Sequence, residues 1–499
     1  MQYNEENIAD TLLRNGKPQS PAILQGRNVT SYEALRKMTC DIGCALTKVS
    51  EKGECIGLIS ENSPFCVAAY LGTIHAGRVT VPLPGDISDQ LLAHIVNSTK
   101  MKAAFVSGRY VKKHDPGLTK LGVQILDENI LSTRNADVQM PTINPREDLA
   151  SIMFTSGSTG TAKGVMVTHR NIECNSRDII QYLDLTPSDR VMAVLPLHYC
   201  FGASLLHTHL MAGGSVVLNN QFMYPESVLD DMEKWECTGL AGVPSTYQIL
   251  LRKTSLRQRN LPKLRWFQQA GGKLPNPFIS EILESFSAAR FFLMYGQTEA
   301  TARLSYLPPE RLTDKLGSIG KGLPSTRLEV LQKDGRPVCW GSDEIGEIVA
   351  SGDNITKGYW ADEAETAKFF RNGKLYTGDL ARVDSDGFIF VQDRARDFIK
   401  TGGKRVGAKE VEDVICELKE IIEAAIIGVP HETMGEMLKA YLVVKSGTAL
   451  EAEEVRHHVA GRLEAYKVPE SVEFISHLPK NSAGKVLKPK LREINQAPA

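Results

Sequence analysis

Ten consecutive residues, Thr155-Ser156-Gly157-Ser158-Thr159-Gly160-Thr161-Ala162-Lys163-Gly164, combine hydroxyls and glycines with a closing lysine. Small residues let backbone N–H groups approach an anion, and the hydroxyls add donors. Lys163 supplies a point charge suited to phosphate. The segment follows a strand-like run, Ala150-Ser151-Ile152-Met153-Phe154. Other glycine-rich chemistries fail on spacing. A loop of the form G-x-x-x-x-G-K-[ST], counted from Gly157, needs glycine where Ala162 stands. A G-x-G-x-x-G fingerprint is broken because Ser158 and Thr159 separate the two glycines. A G-x-S-x-G nucleophile elbow fails as well. The residues therefore point to phosphate binding.

Five further clusters follow: Ala270-Gly271-Gly272-Lys273-Leu274, Tyr295-Gly296-Gln297-Thr298-Glu299, Tyr376-Thr377-Gly378-Asp379, Asp393-Arg394-Ala395-Arg396-Asp397-Phe398-Ile399-Lys400 and Pro479-Lys480-Asn481-Ser482-Ala483-Gly484-Lys485. Together with the first loop, and over nearly the whole chain, they resemble the adenylate-forming superfamily. Its members include acyl-CoA synthetases, nonribosomal peptide adenylation domains and beetle luciferases. The family's loop reads T-S-G-S-T-G-x-P-K-G. Here Ala162 replaces proline, which alters stiffness but removes no donor. Met294 stands where glycine is frequent, and Asp393 matches the luciferase-like members rather than those with glycine.

The resemblance implies roles. Thr155, Ser156, Gly157, Ser158, Thr159, Gly160 and Lys163 would bind the phosphates of ATP. Gly271 and Gly272 would lie along the nucleotide and acyl group. In the motif that includes Gln297, Tyr295 would stack on adenine, Thr298 would contact phosphate and Glu299 would hold Mg²⁺. An aromatic face suits a purine, and a carboxylate oxygen suits a hard cation. Asp379 and Arg394 would bind the ribose hydroxyls. Arg396 falls at the hinge, and Lys400, Gly402 and Gly403 match the segment that faces the active site for thioester formation. Lys485 matches the adenylation lysine, bridging the substrate carboxylate and the α-phosphate. Ser482-x-x-Lys485 also fits the S-x-x-K of serine acylases, but no S-D-N or K-T-G partner accompanies it.

Pro196-Leu197-His198-Tyr199-Cys200-Phe201-Gly202 occupies the family's acyl-pocket position. His198, Tyr199 and Cys200 are expected to line it, with Val243-Pro244-Ser245 opposite. Amino-acid-activating relatives carry an aspartate here to pair with the substrate ammonium. No carboxylate lies between Asp189 and Glu226, and a buried ammonium without a counter-ion is costly. A small or medium carboxylic acid is the expected substrate.

These segments need a scaffold. Glu54–Ile59 reads as a buried strand, Pro64–Gly77 as a helix and Val79–Leu83 as the next strand. Val191–Pro196, Ala203–Met211, Ser215–Leu218, Pro225–Trp235 and Gly239–Val243 repeat the rhythm of strand and helix. The pattern predicts an α/β fold with largely parallel sheets. From Gly320 to Val391 short strands with Gly and Asp turns predict a β-rich subdomain. After Asp397 two helical faces (Val411, Val414, Ile415, Leu418; then Val455, Val459, Leu463) and two strands, Ala424–Val429 and Ala440–Val444, predict a small α+β unit. The expected division is a large adenylate-forming domain, residues 1–394, built of two βαβ-type subdomains and the β-rich one. A small mobile C-terminal domain, residues 395–499, completes it.

The 499 residues carry 58 basic and 59 acidic side chains, a net charge of −1. That balance argues against a nucleic-acid partner. The longest apolar stretch, near Phe65 to Gly77, is too short to span a bilayer. The N-terminus lacks a basic region followed by an apolar run, so a cytoplasmic location is expected. Nine irregularly spaced cysteines are not a disulfide framework. Cys40 and Cys44 stand four apart without a second Cys or His pair, which reads as packing rather than half a metal site. The expected activity is ATP-dependent formation of acyl-AMP, then transfer to CoA or to the phosphopantetheine of a separate carrier protein. Alternatives are an aminoacyl ligase loading a carrier protein, a luciferase-like oxidation of the adenylate, and a non-catalytic adenylate-binding protein.

Overall fold

The computed structural model describes residues 6–132, 138–155, 162–392, 398–481 and 484–496. Ser156, Gly157, Ser158, Thr159, Gly160, Arg394 and Arg396 of the sequence expectations lie outside the described residues. Among the described residues the strands form four sheets.

The largest sheet has six parallel strands at its centre. Across it they run Arg290–Tyr295, Trp266–Gln269, Gly239–Gly242, Arg190–Ala193, Ser215–Leu218 and Pro21–Gln25. Antiparallel strands Ser305–Leu307 and Asn28–Ser31 close its two edges. After Arg190–Ala193 the chain first moves to one side, then returns and builds the other side outward. At such a reversal the loops leaving the carboxyl ends of adjacent strands part, and a crevice opens between them. The second sheet has the order Gln124–Leu126, Ala103–Val106, Cys55–Ile59, Val79–Leu83 and Leu149–Thr155, all parallel. Lys163–Thr168 then returns antiparallel, with Thr155 opposite Lys163. The two ends of the hydroxyl- and glycine-rich segment, Thr155 and Lys163, are therefore paired.

One apolar core holds side chains of both sheets. Within it sit the helices Pro64–His75 and Cys200–Ala212, apolar on every face and buried along nearly their whole length. A helix without a polar stripe is stable only when covered all round. The expected helix at Ala203–Met211 starts three residues early. Tyr199 provides no side-chain cap at its beginning, so no capping signal marks the start.

A third, antiparallel sheet contains Arg327–Leu331, Gly346–Ser351 and Lys374–Val383. This is the expected β-rich region. The fourth sheet lies after residue 398, with Ile421–His431 and Gly435–Val444 as its long central hairpin. Both strands are longer than the sequence pattern suggested, and Pro430 is paired opposite Glu436 near the turn. Helices Ala408–Ile415, Ala452–Ala460 and Lys488–Gln496 accompany it. Arg252 ties this unit to the rest. Its Nη1 and Nη2 donate to Glu281 at 2.6 and 2.5 Å, and its Nε donates to the Ile421 carbonyl at 3.2 Å. Cys40 and Cys44 are half-buried on the helix Tyr32–Leu46.

Candidate active site at the carboxyl ends of the large sheet

The site is assembled from loops that leave the parallel strands at one end. After Arg190–Ala193 comes the segment with His198, Tyr199 and Cys200. Asn62 fixes its path, donating from Nδ2 to the Leu195 carbonyl at 2.9 Å and accepting from the Leu197 amide at 2.9 Å. The rings of His198 and Tyr199 lie 4.6 Å apart. Nε2 of His198 is buried without a partner, and burial pushes the imidazole down to about 4, so the ring is neutral.

Thr298 and Glu299 form a single turn after Arg290–Tyr295. Thr298 Oγ1 donates to Cys200 Sγ at 3.4 Å, which joins this turn to the His198–Cys200 segment. The main chain of Glu299 is held by Thr356, whose amide and hydroxyl donate to the Glu299 carbonyl at 3.0 and 2.9 Å. Its carboxylate accepts from the hydroxyl of the buried Tyr359 at 2.8 Å. Burial and then the Glu299 charge hold the Tyr359 phenol well above its ordinary range, so it remains a donor. The Lys163 ammonium lies 5.4 Å from the centre of the Tyr359 ring and is ion-paired with Glu365. Glu365 in turn is positioned by Asp362, which caps the helix Glu363–Phe369. Lys163, Tyr359, Glu299, Thr298 and Cys200 thus form one chain of contacts.

On the far side of the turn, Tyr295 donates its hydroxyl to Asp379 Oδ2 at 2.7 Å. Asp379 is buried, and its amide donates to Thr377 Oγ1 at 3.2 Å. Gln297 is half-buried, and its Nε2 has no partner. Gly271 and Gly272 form the turn after Trp266–Gln269, held by Gln269, whose Nε2 donates to the Ala270 and Gly272 carbonyls at 3.0 and 2.8 Å. A Cβ at Gly271 would stand 3.0 Å from Val243.

Val243 is buried at the start of the helix Pro244–Lys253. Next to it, Ser245 Oγ donates to the Gly484 carbonyl at 3.0 Å. Gly484 has φ +78°, and a Cβ there would lie 3.1 Å from both Ser245 Oγ and Val243 Cγ2. A left-handed backbone in so tight a contact explains the glycine. The hairpin that carries it closes on itself: Lys485 N donates to Asn481 Oδ1 at 2.9 Å, and Lys480 and Val486 form a bridge. Lys480 is salt-bridged to Glu423 at 2.6 Å. The exposed Lys485 is thereby carried by a loop docked on the Val243–Ser245 wall.

The thioester-step expectations lie elsewhere. Lys400 is exposed on the strand Phe398–Thr401, its amide donating to Glu436 at 2.9 Å. The Gly402 amide donates to the Met434 carbonyl at 3.0 Å, within the small sheet. Sequence reasoning did not single out Tyr359 or Glu365. They approach Glu299 and Lys163 across 60 and 202 residues of chain, and only the cap residue Asp362 gives a local signal near them.

Residues 13–360 match the model of the AMP-binding enzyme family, and residues 410–485 match that of the AMP-binding enzyme C-terminal domain. The chain belongs to the AMP-binding enzyme family, within the adenylate-forming superfamily. It is an AMP-forming acid–thiol ligase of the acyl-CoA synthetase type. It is 32% identical over 488 residues to a feruloyl-CoA synthase of Amycolatopsis, covering 95% of this chain and 96% of that protein. A 2-succinylbenzoate–CoA ligase of Geobacillus kaustophilus is 34% identical over 361 residues, 72% of each chain. The structure of ATP-bound MatB from Rhodopseudomonas palustris superposes with a TM-score of 0.88 at 28% identity, over 98% of this chain and 99% of that one. Among the described residues no helix is long and apolar enough to cross a membrane.

Proposed function

We propose that this protein activates a small carboxylic acid with ATP, forming acyl-AMP and pyrophosphate, and then transfers the acyl group to the thiol of CoA. The observation that carries the proposal is the Ser245–Gly484 hydrogen bond. It docks the loop that carries Lys485 on the Val243–Ser245 wall, at the carboxyl end of the strand Gly239–Gly242, which supports a role for that lysine in the first step.

In the first step the acid's carboxylate attacks the α-phosphorus in line, and pyrophosphate leaves. The Lys485 ammonium stabilises charge as it develops between carboxylate and α-phosphate. A preorganised charge of this kind is worth about 10²–10³ in rate. The loop from Thr155 to Lys163, including Ser156, Gly157, Ser158, Thr159 and Gly160, cradles the β- and γ-phosphates. For that, Lys163 exchanges Glu365 for phosphate. Tyr295 stacks on the adenine, while Asp379 and Arg394 hold the ribose. Gly271 and Gly272 let the nucleotide and acyl group pass close to backbone. Glu299, oriented by Tyr359, would hold Mg²⁺, whose chemistry is to neutralise and align the phosphates. His198, Tyr199, Cys200 and Val243 line the acyl pocket, and the neutral His198 suits an uncharged part of the substrate.

In the second step the domain after Arg396 rotates relative to residues 1–394. The Ser245–Gly484 contact breaks, Lys485 withdraws, and Lys400 with Gly402 and Gly403 replaces it. The thiolate then attacks the mixed anhydride and AMP leaves. The bearing test is pyrophosphate release with MgATP and a panel of aliphatic, aromatic and amino acids, without and with CoA. Release that depends on one acid class and accelerates with CoA supports the proposal. Release unaffected by CoA moves the acceptor to a carrier protein, and silence with every acid refutes the ligase chemistry.

A further inference from the structure

Arg303 is 1% exposed, yet its Nε and Nη2 have no hydrogen-bond partner. Among the described residues no carboxylate pairs with it. Its main chain is pinned: Asn175 accepts from the Arg303 amide at 3.2 Å and donates to its carbonyl at 2.8 Å, and Asn354 donates to the same carbonyl at 3.0 Å. The backbone position of Arg303 is therefore set by the fold, and its side chain is within hydrogen-bonding reach of Tyr182. The guanidinium lies 4.8 Å from the centre of the Phe201 ring. Phe201 and Cys200 begin the helix that continues the His198–Tyr199 acyl segment.

A buried guanidinium without a counter-ion is costly, and proteins retain one where something pairs with it. Nε–H and Nη2–H lie on one edge of the planar group and point the same way. That edge is the fork two oxygens of one oxyanion fill.

We propose that the acid this enzyme activates bears a second oxyanion, remote from the adenylated carboxylate, and that Arg303 binds it through Nε and Nη2. A carboxylate and a sulfonate present the same pair of oxygens. The inference rests on the ligase function proposed above and adds the class of its substrate.

The test has a kinetic and a binding arm. Succinate, glutarate, adipate and phthalate are compared with butyrate, valerate, hexanoate and benzoate, and 3-sulfopropionate forms a separate arm. In pyrophosphate release at least one diacid or sulfonate is expected to exceed its monoacid partner about tenfold or more in kcat/KM, as befits hydrogen bonds to charged groups. Arg303→Met removes that preference, Arg303→Lys restores part of it, and the KM for ATP stays unchanged in both. In melting experiments on the AMP-bound protein the preferred diacid or sulfonate raises Tm, its monoacid partner does not, and Arg303→Met abolishes the rise. Without acid, Arg303→Met melts no lower than the wild type, because it removes an unpaired charge. Equal use of each pair, an Arg303→Met effect on ATP rather than acid, or a fall of several degrees in the acid-free Tm overturns the inference. If no acid releases pyrophosphate, the ligase function fails, and the melting shifts alone still decide the role of Arg303.

Discussion

Replacing Ser245 by alanine isolates the contact on which the proposed first step depends. Ser245 is buried, and its hydroxyl donates to the Gly484 carbonyl across 239 residues of chain, at 3.0 Å. The bond is neutral on both sides, so its net worth is about 0.5–1.5 kcal/mol. Converted at about 1.4 kcal/mol per tenfold, the docked arrangement loses about two- to tenfold in population. No cavity of consequence opens, because only an oxygen is removed, and the fold should melt as before. In the proposed arrangement for thioester formation this bond is broken. The assay is therefore a pair of single-turnover measurements: pyrophosphate release from acid and MgATP, and CoA attack on supplied acyl-AMP. Ser245→Ala should slow the first by about two- to tenfold and leave the second unchanged. An equal change in both, or no change in the first, would refute the assignment of this contact to the adenylation arrangement.

Lys485→Ala should lower pyrophosphate release by about 10²–10³ while acyl-AMP still reacts with CoA at near the wild-type rate; equal loss in both half-reactions contradicts the two-arrangement account. Tyr359→Phe removes the donor to the Glu299 carboxylate, and a bond to a charged acceptor is worth about 1.5–3 kcal/mol, so kcat should fall about ten- to a hundredfold with the acid KM unaltered. Asp379→Ala should raise the KM for ATP, as read from initial rates at varied nucleotide, and an unchanged KM removes Asp379 from the ribose. Stability should peak near pH 6.5. Burial lowers the pKa of His75, but the Asp10 hydrogen bond, Cys40 and the Asp10 charge together hold it up at about 9, so its contribution is complete below 6.5 and lost as pH rises through about 9. Burial depresses His169 and His209 to about 4 and His207 to about 3, so these contributions are complete above 6.5 and lost as pH falls toward those values. A Tm that falls as pH rises from about 4 to 6.5, or that climbs as pH rises from 6.5 to about 9, would contradict these environments.

Much of the site was legible because chemistry concentrates in contiguous motifs. Thr155 and Lys163 were marked by residue types in one loop, and Gly271, Tyr295, Thr298, Glu299 and Asp379 by short motifs that carry the family resemblance. The structure brings Lys163 to Glu299 through Tyr359, and Tyr295 to Asp379 directly. What escaped was the glue. Tyr359, in an isolated bridge to Val165, and Glu365, in the first turn of the helix Glu363–Phe369, carry ordinary side chains, and their partners are set by topology. Arg303 escaped for a different reason. An arginine in Ala302-Arg303-Leu304 reads as a surface charge, and only burial without a partner marks it. In the fold, the buried strands Cys55–Ile59 and Val79–Leu83 were clear from continuous apolar runs. The return strand Lys163–Thr168 was hidden, because its first residues looked like the end of a loop.

In the proposed first step a carboxylate oxygen attacks the α-phosphorus of ATP. Oxygen-18 in both positions of the substrate carboxylate tests it most directly, read by mass spectrometry of the nucleotide after one turnover with CoA. AMP carrying one heavy oxygen and unlabelled pyrophosphate are the expected products. Unlabelled AMP, or label appearing in pyrophosphate, orthophosphate or ADP, would contradict it.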